Sequence, residues 1–192
     1  MAESILSESP AIPLELLQKF CSQDKTRAYL MTPFSSRDFT FATDGRVLIR
    51  VRRIEGVREA ADTDIDVVRI KTIHSFFAKE SPGKWVDLPK NDGTWAQDCV
   101  DCGGKKVLSI IRCDECDHLI KLEKPIICPH CDGSGKSYNM VRVPFGNRSL
   151  NAEYLIKLAL LPKVRMCLGG DETEVVAFTF DGGDGRLMPM RK

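Results

Sequence analysis

Residues 41–51 read FATDGRVLIRV, two apolar-rich runs on either side of an Asp-Gly pair. Asp-Gly supplies the positive φ values that a tight turn needs, so the longer stretch DFTFATDGRVLIRVRR, residues 38–53, reads as two strands folded into a hairpin at Thr43–Arg46. Upstream, RAYLMTPF at 27–34 reads as a further strand. In PLELLQKFCSQD, residues 13–24, Leu14, Leu17, Phe20 and Cys21 fall at helical spacing behind Pro13, which suits a first turn. Residues 1–10 are polar and end at a proline, the composition of a loose tail.

Downstream, Ile65, Val68, Thr72, Ile73, Phe76 and Phe77 form an apolar stripe of period near 3.6, preceded by Asp62 and Asp64, and predict a helix over 64–78. SPGKWVDLPKNDGTW, residues 81–95, has the composition of a linker. Past residue 137, MVRVPF predicts a strand and NAEYLIKLALLP a helix stopped by Pro162. VRMCL, EVVAFTF and RLMPMR predict three closing strands, with FDGGDG as a turn-rich connector before the last. The fold class this predicts is α+β, as one domain interrupted by an inserted module.

The chain has 192 residues and a formal charge of +1, so bulk charge gives no argument for a polyanion partner. No run of eighteen apolar residues occurs, and MAESILSESP lacks the layout of an export signal, which predicts a cytoplasmic protein with no membrane partner. Its cysteines agree, since six of the eight lie in Cys-x-x-Cys pairs rather than in a disulfide framework. Cys21 and Cys167 sit alone in apolar surroundings and read as small buried hydrophobes.

The pairs are Cys99/Cys102, Cys113/Cys116 and Cys128/Cys131, separated by ten and eleven residues. Each pair can form a knuckle whose two sulfurs face one point, with Gly103 and Gly133 letting the chain leave in conformations closed to other residues. Two knuckles make one tetrahedron of thiolates, a donor set that selects zinc over magnesium or calcium and leaves no open position for a substrate. Iron–sulfur binding is the alternative for such a set, whereas a thioredoxin-like role expects a single pair at a helix start. Six sulfurs overfill one site, so one or two zinc ions are expected. Either one pair is spare, or a second ion recruits His118 or an aspartate such as Asp98 or Asp117. His130 lies between two ligands and reads as a bystander, and His74 as a structural imidazole inside the second helix.

CPHCDGSGK, residues 128–136, resembles the cysteine-rich region of J-domain chaperones, built from Cys-x-x-Cys-x-Gly-x-Gly units. Residues 128–135 fit that unit fully, CVDCGGKK keeps one glycine and CDECDHLI none. The chain has three pairs where the family has four, and no His-Pro-Asp segment, so the resemblance implies a zinc-binding β-hairpin module over 96–137 and no chaperone activity.

A second resemblance lies outside the module. FATDGRVLIRV, NAEYLIKLALLP and GRLMPMR together look like the bacterial DNA polymerase III beta sliding clamp family, with residues 42–45, 151–155 and 188–191 matching its motifs in order. The resemblance implies one sliding-clamp-like domain of two helix-and-strand halves, residues 11–55 and 139–192, with 56–95 as an inserted helix and linker. Family members carry three such domains per chain and this sequence holds one. By the same resemblance Lys19, Lys25, Arg27 and Lys157, with an arginine strand face from Arg46 to Arg53, would meet DNA phosphates. Met188, Pro189, Met190 and Arg191 would border an apolar groove for a protein partner. No nucleophile elbow, Walker, His-Glu-x-x-His or deaminase arrangement occurs, and FDGGDGR lacks the lysine and helix of a phosphate loop. The expectation is therefore a non-enzyme: a zinc-containing, clamp-like binding protein of DNA replication or repair, or else a zinc-hairpin protein-recognition module on a clamp-like scaffold with no DNA role.

Overall fold

A computed structural model describes residues 12–60, 64–78, 83–112 and 116–191, with the side chains of 64–70 left aside. The expected tail at 1–10 lies outside the described residues. The chain forms two compact units, one built from residues up to 89 with 144–150 and 154 onward, the other from 90–143 with 151–153.

In the first unit α1 (Leu14–Gln18) starts behind Pro13, whose extended backbone carbonyl accepts the Leu16 and Leu17 amides at 3.0 and 3.2 Å. The expected strand over 27–34 is instead a 3-10 helix, Lys25–Leu30. Asp24 Oδ1 accepts the Thr26 amide at 2.9 Å and its hydroxyl at 2.6 Å, a local turn that competes with extended backbone, and no residue of the helix is buried to favour a strand. β1 (Phe34–Ser36), β2 (Phe39–Thr43) and β3 (Val47–Arg52) then form an antiparallel meander. The Asp44–Gly45 turn is built as the sequence requires: Asp44 Oδ1 accepts the Arg46 and Val47 amides at 2.8 and 3.0 Å, and Gly45 takes a φ of 91°.

Next come α2 (Asp64–Ala78) and β4 (Lys84–Asp87). Neither is a detached insertion. Ile73, Phe76 and Phe77 of α2 pack on Phe34, Phe41 and Leu48, and β4 is an edge strand of the main sheet inside the stretch whose composition reads as linker. Residues 56–89 therefore belong to the first unit, and the second begins at Lys90.

The second unit contains β5 (Gln97–Asp98), β6 (Val107–Arg112), β7 (Leu119–Ile127) and β8 (Lys136–Ser137). β5 pairs with β8 and β6 with β7, both antiparallel. Strands β9 (Arg142–Phe145) and β10 (Arg148–Asn151) form a two-stranded piece, and α3 (Ala152–Leu158) follows. The first unit closes with β11 (Arg165–Leu168), β12 (Val176–Phe180) and β13 (Gly183–Leu187), again a meander.

The seven-stranded sheet runs β1-β2-β3-β13-β12-β11-β4, antiparallel at every pairing. Strand β3, third in that order, sends Leu48 and Arg50 to the face covered by α2, while Val47, Ile49 and Val51 alternate to the other face and are also buried. Leu17 of α1, Leu155 and Leu158 of α3, and Met166, Val176, Phe178 and Leu187 of the second meander are fully buried. The last strand differs from expectation at both ends. It starts inside the glycine-rich connector, and Met188–Arg191 continues beyond it without strand structure. Glycine is needed there because Phe178 and Phe180 lie over their cross-strand partners Gly185 and Gly183; a methyl on Gly183 would come to 2.6 Å from the Phe180 ring. Among the described residues no helix is long and apolar enough to cross a membrane.

Candidate metal centre

The base of the second unit is closed by two short pairings. Gln97 and Asp98 register with Ser137 and Lys136, and Lys136 Nζ donates to Asp98 Oδ1 at 2.8 Å. This brings the first and third cysteine pairs together. The Cys99 amide donates to Gly135 O and the Cys128 amide to Lys106 O, each at 3.0 Å, so each knuckle is held by the strand entering or leaving the other. The glycines act as expected: Gly103, Gly133 and Gly135 take φ of 54°, 74° and 75°, and a methyl on Gly135 would stand 2.6 Å from Gly104 O.

Four sulfurs result, from Cys99, Cys102, Cys128 and Cys131, all buried and all within 4.8 Å of one another. Cys99 Sγ is 3.8 Å from Cys128 Sγ, and Cys102 Sγ 3.8 Å from Cys131 Sγ. This group could hold a metal ion. Burial would raise the Cys131 thiol, but the Gly135 amide at 3.3 Å and the neighbouring cysteine side chains pull it down to about 7, while burial pushes Cys128 up to about 11. A thiol drawn below its ordinary pKa favours the thiolate form that a soft cation binds. Among the described residues the half-buried Leu108 is the one apolar side chain packed on the sulfurs, so an ion there would supply cohesion that apolar contacts do not.

Cys116 of the middle pair does not join this group. Cys113 lies outside the described residues, and Cys116 and His118 are exposed beyond the end of β6. Among the described residues the four-sulfur group is the single candidate, with His118, Asp98 and Asp117 outside it. Asp98 pairs with Lys136 and Asp117 with Arg112. His130 turns its Nδ1 to Asp101, 3.3 Å away, as a bystander would.

Between the knuckles, the β6–β7 ribbon exposes apolar side chains: Val107, Ile110, Leu119, Ile120, Ile126 and Ile127 are all open to solvent. The sequence showed these as strand-forming residues but gave no sign that nothing covers them.

On the first unit, Lys19, Lys25 and Arg27 are exposed. Arg27 Nε lies 3.7 Å from Asp24 Oδ2, and Lys157 sets its Nζ 5.3 Å above the Tyr154 ring. The arginines from Arg46 to Arg53 are partly engaged within the unit. Arg50 makes a two-point contact with Asp184 at 2.9 Å and stacks on Phe39 and Phe77, while Arg53 pairs with Glu59. Met188 and Arg191 are exposed and Pro189 and Met190 half-buried; the Met188 amide donates to Arg46 O and that of Met190 to Ser149 O, each at 2.8 Å. Arg148, which no motif marks, is buried to 5% exposure. Comparison of the chain with family models, curated proteins and solved structures returns no match.

Proposed function

We propose that the chain is a non-catalytic, zinc-containing, clamp-like binding protein of DNA replication or repair, with proteins as its first partners and DNA as its second. The observation that carries this reading is the doubled plan of the first unit. A helix and a three-strand meander, α1 with β1–β3, is followed much later by another, α3 with β11–β13, and the last strands of the two meanders, β3 and β13, pair antiparallel at the middle of the sheet. The three motif stretches also converge: Tyr154 hydrogen-bonds Asp44, and the Met188 amide reaches Arg46 O. Met188 lines an apolar cavity of about 280 Å³ with Tyr29, Leu30, Ile73 and Phe76, suited to apolar side chains of a partner segment. Zinc in the four-sulfur group fits the donor chemistry and would be structural.

The DNA arm is tested by fluorescence anisotropy with a duplex oligonucleotide across a salt series. Binding that weakens steeply with salt, and that falls in a Lys19/Lys25/Arg27→Ala variant, supports it; no binding at low salt removes it.

The exposed apolar ribbon favours a second reading, in which the zinc-held hairpin is the recognition element and the scaffold has no DNA role. Affinity for an unfolded, carboxymethylated model protein separates the two. Loss of that affinity in an Ile110/Leu119/Ile127→Ser variant supports the ribbon reading, and unchanged affinity, or none in the native chain, removes it.

A further inference from the structure

A cavity of about 420 Å³ lies on the first unit between the start of β10, the loop before β12 and the segment after β13. Asn147, Arg148, Ser149, Thr173, Pro189 and Met190 contribute to its wall. Arg148 is the unusual member. Its side chain is buried, and its guanidinium is held from one end, Nη1 donating to the carbonyls of Glu174 at 3.2 Å and Val175 at 3.5 Å. Its Nε–H is buried and has no hydrogen-bond acceptor. Among the described residues no carboxylate comes within ion-pair distance of it.

An arginine cannot answer burial by losing its proton, so its charge has to be met by an anion or by water. Two carbonyls satisfy donors but bring no charge. Asp171 feels the charge of Arg148 but stays beyond ion-pair distance, its Oδ1 accepting the Thr173 amide, the Thr173 hydroxyl and the Glu174 amide at 2.7–3.1 Å. Glu172 and Arg191 also reach the cavity wall, with opposite charges. Asn147 is oriented by donating its Nδ2 to Gly170 O at 3.2 Å, and the Met190 amide bonded to Ser149 O at 2.8 Å fixes the opposite wall. The result is a walled space with a fixed, buried positive charge on one side and Ser149 on another.

We propose that this cavity is an oxyanion site in which Arg148 receives a carboxylate or phosphate group. The inference concerns the first unit alone and does not depend on the clamp-like reading or on the metal. Its ligand is defined by chemistry: a planar or tetrahedral oxyanion that can face the guanidinium fork.

The test uses the full chain labelled with 15N, following the Arg148 Nε–H resonance while sodium phosphate, sodium acetate or sodium chloride is added at constant ionic strength. A saturable shift with phosphate alone assigns the site to phosphate, and one with acetate alone to carboxylates. Equal shifts with all three salts, or none with any, overturn the proposal. Arg148→Lys keeps the charge but loses the fork, and saturable binding measured by calorimetry should weaken about tenfold to a hundredfold. Unchanged binding in a folded Arg148→Lys protein would also overturn it. Should that variant not fold, the resonance titration of the unmodified chain still decides.

Discussion

Tyr154 Oη donates to Asp44 Oδ2 at 2.8 Å, joining two residues 110 positions apart in the sequence. The same aspartate closes the β2–β3 turn through its other oxygen. One carboxylate thus ties the hairpin of the first helix-and-meander half to the helix of the second. Tyr154→Phe removes only the long-range bond and should lower stability by about 1–2 kcal/mol in urea unfolding. Asp44→Ala removes the turn bonds as well and should cost more. Equal losses in the two variants would show that the turn does not use the carboxylate.

The four buried sulfurs and the exposed Cys116 predict different outcomes from the same substitution. Cys99→Ser or Cys131→Ser should abolish tight metal binding, whereas Cys116→Ser should leave about one zinc per chain, read by elemental analysis of purified protein. Chelation should unfold the second unit around the sulfurs, because among the described residues Leu108 alone packs on them, and leave the seven-stranded sheet intact by far-ultraviolet circular dichroism. Two zinc ions per chain, one lost in Cys116→Ser, would restore the middle pair as a ligand set.

Gly185 lies opposite Phe178, and a methyl there would collide with the Phe178 ring and reach 2.5 Å from Leu48 O. Gly185→Ala should therefore destabilise the first unit by about 1–3 kcal/mol, the range for overpacking a core. Pairing it with Phe178→Leu should recover part of the loss, which a double-mutant cycle would measure.

His74 packs its ring edge-on to Phe41, with ring centroids 5.5 Å apart, and its Nε2 lies 3.3 Å from Ser36 Oγ. Burial, then Arg37 and Arg50, hold its pKa below the ordinary 6.5. The unfolded chain therefore binds the proton more readily than the folded one. The stability this imidazole contributes is full above pH 6.5 and is lost as pH falls from there towards the lower folded value. Thermal unfolding followed between pH 5 and 7.5 should show that slope, and His74→Phe should flatten it.

What could be read from the sequence was local in origin. The Asp-Gly hairpin, the Asn151–Pro162 helix region and the first and third cysteine knuckles depend on residues a few positions apart, and they form where the spacing places them. The 3-10 helix at Lys25–Leu30 escaped because one aspartate set its start against a strand-like composition. β4 escaped because its short run owes its strand state to pairing with β11. Gly183 and Gly185 looked like turn residues because the aromatic rings that exclude a side chain come from the neighbouring strand. Arg148 gave no signal for the same reason: its burial is made by segments remote in sequence.

Two close sulfur pairs, each at 3.8 Å, join residues from different knuckles, 29 positions apart. Peroxide acting on the metal-free protein should accordingly link Cys99 to Cys128 and Cys102 to Cys131, with four electrons passing to two peroxide molecules as two disulfides form. A tryptic digest would then yield covalently joined peptides from both ends of the ribbon. Its base would be stapled shut by covalent bonds, leaving the solvent-facing isoleucines in place but the site closed to any returning ion until a reductant is supplied.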